Sequence, residues 1–330
     1  MATKITITGG SGFIGTRLCQ DLFDRHVNFE IIDLKPSLRF PERTKIADIR
    51  DINALRNSIT GNIIVHLAAV HRDDVRDKSL YATTNVDGTR NLCTVAEDRK
   101  ISKIIFTSTV AVYGFAAPGT GEDGAINPFN EYGRTKFAAE RALSDWKHRG
   151  TTERTLVIVR PTVVFGEGNR GNVYNLLSQI ASGRFVMVGP GTNRKSMAYV
   201  GNVSAFLRQA TAASQSGLNN YVDTPDYDMN TLVSEVSKDL GINTKIGLSI
   251  PYGLGILFGS VADIYAYFSK SSLPISRIRV KKFCATTEFT SCKSGLENFS
   301  PPFTLKEGLA RTLQSEFVSP DPSRAVFFTE

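Results

Sequence analysis

The first half of the chain alternates runs of Ile, Val and Phe with stretches at helical spacing. KITITGG reads as a strand and Phe13 to Arg25 as a helix. FEIIDL is a second strand with Asp33 near its end, TKIADI a third and NIIVHLAA a fourth. TTNVDGTRNLCTVAEDRK reads as one long helix, SKIIFTSTV as a fifth strand, EYGRTKFAAERALSDWKHR as another helix and RTLVIVRPTVVFG as a sixth strand. Strands rich in β-branched residues with helices between them predict a parallel sheet covered on both faces. The expected fold class is therefore α/β: a doubly wound parallel sheet, the Rossmann arrangement, with a smaller C-terminal substrate domain.

After Gly166 the alternation fades and glycine-rich loops enter, GEGNRGN and VGPGTNRKS. YVGNVSAFLRQATAA reads as a helix, NNYVD as a strand, NTLVSEVSKDLG as a helix, and SPPFTLKEGLARTLQSEF holds one more helix. The expected division is a Rossmann domain over 1–165, to which 198–225 returns, and a substrate-binding domain over 166–330. IPYGLGILFGSVADIYAYF, Ile250 to Phe268, is apolar but interrupted by Asp263 and three glycines. Its uninterrupted part falls short of the roughly 20 residues of a spanning helix. It reads first as a buried or lid helix, with contact to a membrane surface as the alternative.

Composition narrows the class. The chain has 330 residues, 41% hydrophobic and 22% charged, enough for a substantial core. A net charge of +7 favours anionic ligands, but it is spread thinly with no basic run, so no nucleic-acid partner is expected. Four cysteines lie far apart without a CxxC and read as reduced thiols. The four histidines show no ligand spacing, so no metal is expected. A strand begins within a few residues of Met1, where no signal peptide fits, and a cytoplasmic location is the expectation.

TGGSGFIG, Thr8 to Gly15, lies between the first strand and the first helix. A helix N-terminus exposes unpaired N–H groups and a partial positive charge, which suits a phosphate if the backbone can come close. Gly9 makes the tight turn, Gly12 admits the pyrophosphate to the backbone, and Gly15 lets the helix pack on the strand. Asp33 closes the next strand, where a carboxylate accepts hydrogen bonds from ribose hydroxyls and repels a 2′-phosphate. That pattern favours NAD, while Lys35 nearby leaves NADP open. Tyr132 and Lys136 in EYGRTK share one helix face. A neighbouring ammonium lowers the pKa of a phenol, which then exchanges a proton with a sugar hydroxyl or carbonyl oxygen. Thr107, Ser108 and Thr109 place hydroxyls at the end of the fifth strand, where parallel sheets bind ligands.

With these residues in view the sequence resembles the extended short-chain dehydrogenase/reductase family, and within it the NAD-dependent nucleotide-sugar epimerases and dehydratases. The likeness rests on TGGSGFIG, Asp33, ADIRD, HLAA, NVDGT, STVAVYG, YGRTK and RPTVVFG. It implies Thr109, Tyr132 and Lys136 as the catalytic group. It implies a cofactor site made by Gly9, Gly12, Phe13, Ile14, Gly15, Asp33, Asp48, Ile49, Leu67, Ala68, Ala69, Asn85, Thr107, Tyr132, Lys136 and Pro161. For the substrate it implies Thr109 and Asn172, with Lys195 standing where the family has an arginine and Arg279 as a second clamp. It also implies a homodimer.

Sugar 4,6-dehydratases of this family carry an Asp-Glu pair just after the catalytic Thr, where this chain has Val110 and Ala111. The resemblance therefore implies C4 redox chemistry on a UDP-hexose, as an NAD-dependent epimerase. The alternatives are a 4-ketoreductase of a UDP-4-keto-6-deoxy or N-acetyl sugar, and a dehydrogenase of a sterol-like alcohol using the 250–268 segment.

Overall fold

The computed structural model describes residues 3–72, 75–149, 153–242, 248–269 and 276–329. The elements are β1 (Lys4–Thr8), α1 (Phe13–Asp24), β2 (Asn28–Asp33), β3 (Thr44–Ile46), α2 (Ile52–Ser58), β4 (Ile63–His66), α3 (Gly88–Asp98), β5 (Lys103–Thr107), α4 (Glu131–Arg149), β6 (Thr155–Pro161) and β7 (Val163–Phe165). They continue with α5 (Asn172–Ala181), β8 (Val186–Val188), β9 (Arg194–Tyr199), α6 (Val200–Ala212), β10 (Gly217–Tyr221), β11 (Asp223–Asp228), α7 (Met229–Asp239), β12 (Leu248–Ile250), α8 (Tyr252–Ser269), α9 (Arg277–Cys284) and α10 (Leu305–Leu313).

Seven strands form the main sheet in the order β3-β2-β1-β4-β5-β6-β10, and every neighbouring pair is parallel. β1 and β5 are buried on both faces: β5 reads as the apolar run Ile104–Phe106, while β1 alternates its Ile residues with the buried Thr6 and Thr8. On one face α1 and α6 pack Leu18, Leu22, Phe206 and Leu207 against Ile5, Ile7 and Ile31. On the other, α3 and α4 pack Leu92, Leu143 and Trp146 against Ile64, Ile104 and Phe106. The strand order reverses between β1 and β4, so the loops leaving those strands part and open a crevice at their carboxyl ends.

Three local readings change. The RTLVIVRPTVVFG run is two strands: β6 ends at Pro161, the Thr162 N–H donates to the Tyr221 carbonyl, and β7 joins β9 and β11 in a second sheet. A change of pairing partner leaves no trace in apolar periodicity. The long helix over TTNVDGTRNLCTVAEDRK begins with a π-helical turn, Tyr81–Asp87, before α3. Most of the apolar 250–268 segment forms a helix, α8, yet among its described residues most large side chains are exposed rather than buried. A further core joins α5, α7 and α10 to β9 through Leu177, Met197, Leu232, Val236 and Leu309.

Candidate active site

The glycine turn is held by close backbone approach. Gly9 has φ +73°, and a Cβ there would lie 2.5 Å from the Ala68 nitrogen, so this turn touches the chain leaving β4. A Cβ on Gly15 would lie 2.5 Å from the Gly9 carbonyl oxygen, so α1 meets the turn with no room for a side chain. Gly12 caps α1 without any side-chain hydrogen bond, and the first turn holds no acidic residue. The N–H groups at this helix start therefore lack a side-chain acceptor, and the donor set fits a phosphate.

Asp33 lies at the end of β2, half-buried, with one carboxylate oxygen accepting the Ser11 N–H at 3.0 Å and the other the Leu34 N–H at 2.7 Å. Asp48 pairs with Arg50, which donates from Nε at 2.9 Å, and this holds its carboxyl below the usual range. Ile49 is buried beneath Gly88 of α3. Leu67, Ala68 and Ala69 follow β4 across the crevice, Leu67 tied by its N–H to the Thr8 carbonyl at 2.9 Å. The Asn85 side chain is buried and spent on protein: it donates to the Val70 carbonyl and Thr135 Oγ1, and accepts from the Val70 N–H. Its position makes it a brace between the post-β4 segment and α4. At the end of β5, Thr107 Oγ1 and Ser108 Oγ are buried with no hydrogen-bond partner among the described residues. Orphaned hydroxyls in such a crevice are the mark of a site that a ligand completes. Phe13 and Ile14 begin α1, and Pro161 ends β6, buried.

Thr109, Tyr132 and Lys136 come together because α4 starts against the segment after β5. A Cβ on Gly133 would lie 2.6 Å from the Ala111 carbonyl oxygen, so only glycine permits this approach. Asn130 supports the same turn by accepting the Gly133 N–H at 2.9 Å. The Thr109 side chain lies near the Tyr132 hydroxyl, where it favours the phenolate. One turn further along α4, Lys136 is 2% exposed with Nζ 4.0 Å from the centre of the Phe106 ring. The electrostatics differ from the sequence expectation. Tyr132 is half-buried, yet packing around its hydroxyl pushes the phenol up to about 12, opposed only by the nearby Thr109 side chain. Burial also pulls Lys136 down to about 7, against the carboxylate of Glu140. Lys136 alone does not lower the phenol, because both groups lose hydration and the lysine is itself half discharged near neutrality.

Two deeper networks were not legible as site features. Arg160 of β6 pairs with Glu140 of α4 and donates to the Tyr113 hydroxyl at 2.6 Å, which donates to Asn220 Oδ1 at 2.8 Å. This chain pins the 3-10 turn Val110–Tyr113, which Thr109 caps, to β6 and β10. Beneath the glycine turn, His66 lies between Thr8 at 2.7 Å and Thr89 at 3.0 Å. The Thr89 hydroxyl donates to the Asn85 carbonyl at 2.6 Å, so His66 donates from Nε2 and accepts at Nδ1. Burial, then the charge of Lys136, holds this neutral imidazole down to about 3. Paired charges and buried histidines are common in cores, and only three-dimensional adjacency gives these a bearing on the site.

The residues expected on the substrate side scatter. Asn172 opens α5 and is exposed. Arg279 is exposed on α9. Lys195 instead donates from Nζ to the Lys282 carbonyl at 2.9 Å and to the Ala285 carbonyl, the last carbonyls of α9. Its ammonium is used to seat that helix end, where a cation is favoured, and burial draws it down to about 8. The clamp expected of Lys195 is thus corrected to a strut. A cavity of about 500 Å³ opens beside it, lined by Asn193, Tyr252, Lys281 and Cys284 among others.

Comparison with known proteins adds an independent line. The family described as "NAD dependent epimerase/dehydratase family" matches residues 5–222. A protein of Escherichia coli O157:H7, the N-acetyl-alpha-D-glucosaminyl-diphospho-ditrans,octacis-undecaprenol 4-epimerase, is 46% identical over 334 residues, covering all of both chains. Among solved structures, MoeE5 in complex with UDP-glucuronic acid and NAD aligns with a TM-score of 0.73 at 23% identity, covering 94% of this chain and 98% of that one. The UDP-N-acetylglucosamine 4-epimerase of Methanobrevibacter ruminantium M1 aligns with a TM-score of 0.74 at 21% identity, over 95% and 97% of the two chains. Those two structures share the doubly wound fold. The glycine turn, the crevice above it and a family match spanning the whole main sheet lead to one conclusion: this chain belongs to the NAD-dependent epimerase/dehydratase family and is an NAD-dependent enzyme.

Proposed function

We propose that the chain is a 4-epimerase of an N-acetylhexosamine held through a diphosphate on a polyisoprenyl carrier. The observation that carries this reading is the juxtaposed Thr109 and Tyr132 hydroxyls on the helix face of buried Lys136, in a chain that matches the lipid-linked sugar 4-epimerase from end to end.

The glycine turn and the start of α1 hold the cofactor pyrophosphate, Asp33 its adenosine ribose, and Leu67, Ala68, Ala69 and Thr107 its remaining length. When bound, NAD supplies a reversible hydride acceptor and, oxidised, a positive ring charge. Tyr132 Oη takes the proton of the sugar O4 hydroxyl and returns it to the same oxygen after the sugar presents its other face. Thr109 Oγ1 holds the phenolate in line and steadies O4. Lys136, whose ammonium form Glu140 favours against burial, adds positive charge beside the phenolate to that of the oxidised ring. Val110 and Ala111 offer no carboxylate or other acid–base group, so the chemistry stays at C4. Residues 166–330, apart from 198–225, contribute the substrate side.

A second reading keeps the chemistry and changes the carrier to UDP. The cavity of about 500 Å³ beside α9 favours it, being of a size that takes a nucleoside. The deciding measurement is incubation of the enzyme with a short-chain N-acetylglucosaminyl-diphospho-polyisoprenol and, separately, with UDP-N-acetylglucosamine. Conversion of the lipid-linked sugar to its 4-epimer with no net NADH supports the proposal. Conversion of the UDP-sugar alone replaces it with the second reading. Stoichiometric NAD(P)H consumption on a 4-keto sugar, with no epimer formed, would make the enzyme a reductase.

A further inference from the structure

Helix α8 is built inside out. Its inward side is glycine: a Cβ on Gly255 would lie 2.6 Å from Val188 Cγ1, and one on Gly259 would lie 2.8 Å from the Arg277 nitrogen. Among the described residues, most of the large side chains face outward. Leu254, Leu257, Phe258, Val261 and Tyr265 recur at the spacing of a single helix face, and they are 47% to 59% exposed. Ile264 and Tyr252 widen the row. Lone exposed apolar residues are ordinary, whereas a continuous row marks a contact surface. Asp263 is the single charge on α8, and it accepts the Arg277 N–H at 3.0 Å, fixing the start of α9.

Charge identifies what this row meets. α9 reads RIRVKKFC, four basic residues and no acidic one, and Arg277, Arg279 and Lys281 are exposed. Ile278 lies exposed among them. A second copy placed symmetrically on this face would set these cations against themselves, whereas an anionic bilayer offers acyl chains to the row and phosphates to its flank. Among the described residues no helix is long and apolar enough to cross a membrane, so the helix lies on the surface. α9 also packs against segments next to the candidate site. Lys281 Nζ is 4.8 Å from the Phe115 ring centre and Lys282 Nζ is 4.9 Å from that of Phe129, and the two rings stack at 4.9 Å. Phe115 follows the turn capped by Thr109, and Phe129 precedes Tyr132 on the approach to α4.

We propose that α8 and α9 form a docking surface for an anionic lipid bilayer, with the outward row of α8 in the interface and the cations of α9 on lipid phosphates. Its purpose rests on the reading above that the carrier is a polyisoprenyl diphosphate, since such a carrier keeps its sugar at the leaflet and the enzyme has to meet it there.

The test is flotation of the purified full-length protein with vesicles of phosphatidylglycerol and phosphatidylcholine, and with phosphatidylcholine alone. The wild type floats with the anionic vesicles, less so at high salt. The L257S/V261S variant loses about tenfold or more of that binding, with its melting temperature and its turnover of a short-chain, water-soluble sugar diphosphate unchanged. L38S, exposed elsewhere, floats like the wild type. F258S/Y265S serves as a second pair if the first melts early. Wild-type protein that ignores both vesicles, or α8 variants that float normally, overturns the proposal. So does a wild-type oligomer that ignores vesicles and that L257S/V261S dissociates in sedimentation, which makes the row an interface between copies. Flotation with no turnover of any sugar diphosphate leaves this surface standing and removes the functional reading instead.

Discussion

Glu140 and Arg160 face each other across α4 and β6 with hydrogen bonds of 2.9 and 2.5 Å, and their side chains are 5% and 3% exposed. Glu140 thereby holds Arg160 on the Tyr113 hydroxyl while lending its negative charge to Lys136, one turn before it. Removing either partner leaves a buried charge without compensation. R160M and E140Q are each expected to lose about 3–5 kcal/mol of stability in urea unfolding, and E140L/R160M to recover much of it. Single variants that unfold like the wild type would show the pair to be idle.

The Thr109–Tyr132 pair separates chemistry from binding. Y132F is expected to lower kcat by about 10²–10⁴, the range for loss of a general acid–base group, with KM and NAD affinity little changed. T109V removes one hydrogen bond to a charged form and is expected to cost about tenfold to a hundredfold in kcat. Steady-state kinetics on the sugar diphosphate, with calorimetric NAD titration, checks both. Substantial turnover in Y132F would remove Tyr132 from the reaction.

Burial of Lys136 and His66 sets two windows in the pH dependence of stability. Lys136 falls from 10.5 to about 7 on folding, so between those values the unfolded chain binds more protons and stability rises with pH. His66 falls from 6.5 to about 3, with the same sign, so stability is lost as pH drops through that interval. Each group contributes a slope of at most about 1.4 kcal/mol per pH unit. Urea unfolding of NAD-stripped protein is expected to show the upper slope flattened in K136M and the lower one in H66F. Unaltered slopes in these variants would show that other groups set the pH dependence.

Asp33 bonds the glycine turn through the Ser11 N–H, which fixes its carboxylate beside the turn proposed to hold the cofactor. D33A is expected to shift the NADP/NAD affinity ratio by about tenfold or more toward NADP, because like-charge contact with a 2′-phosphate costs several kcal/mol. Fluorescence titration with both cofactors measures it. An unchanged ratio would place the adenosine ribose elsewhere.

Much of the main sheet could be read before any coordinates, because a buried parallel strand and an amphipathic helix each write their period into neighbouring residues. The glycine turn was equally open, since backbone approach excludes side chains at particular offsets. Tyr132 and Lys136 shared a face by helical spacing alone. The break after Pro161, the turn of Lys195 toward α9 and the raised phenol of Tyr132 were hidden for one reason: each depends on a partner supplied from elsewhere along the chain.

Local order along this chain settled the alternation of strands and helices, the glycine turn and the spacing of Tyr132 and Lys136, since those follow from backbone geometry and side-chain volume over a few residues. Packing settled the rest. Gly133 against Ala111 brings Tyr132 to Thr109, Glu140 is paired with Arg160, and the glycines of α8 turn inward so that its Leu, Phe and Val row turns out. Apolar spacing says that a helix has a greasy face, and which way that face points depends on what else the fold leaves room for.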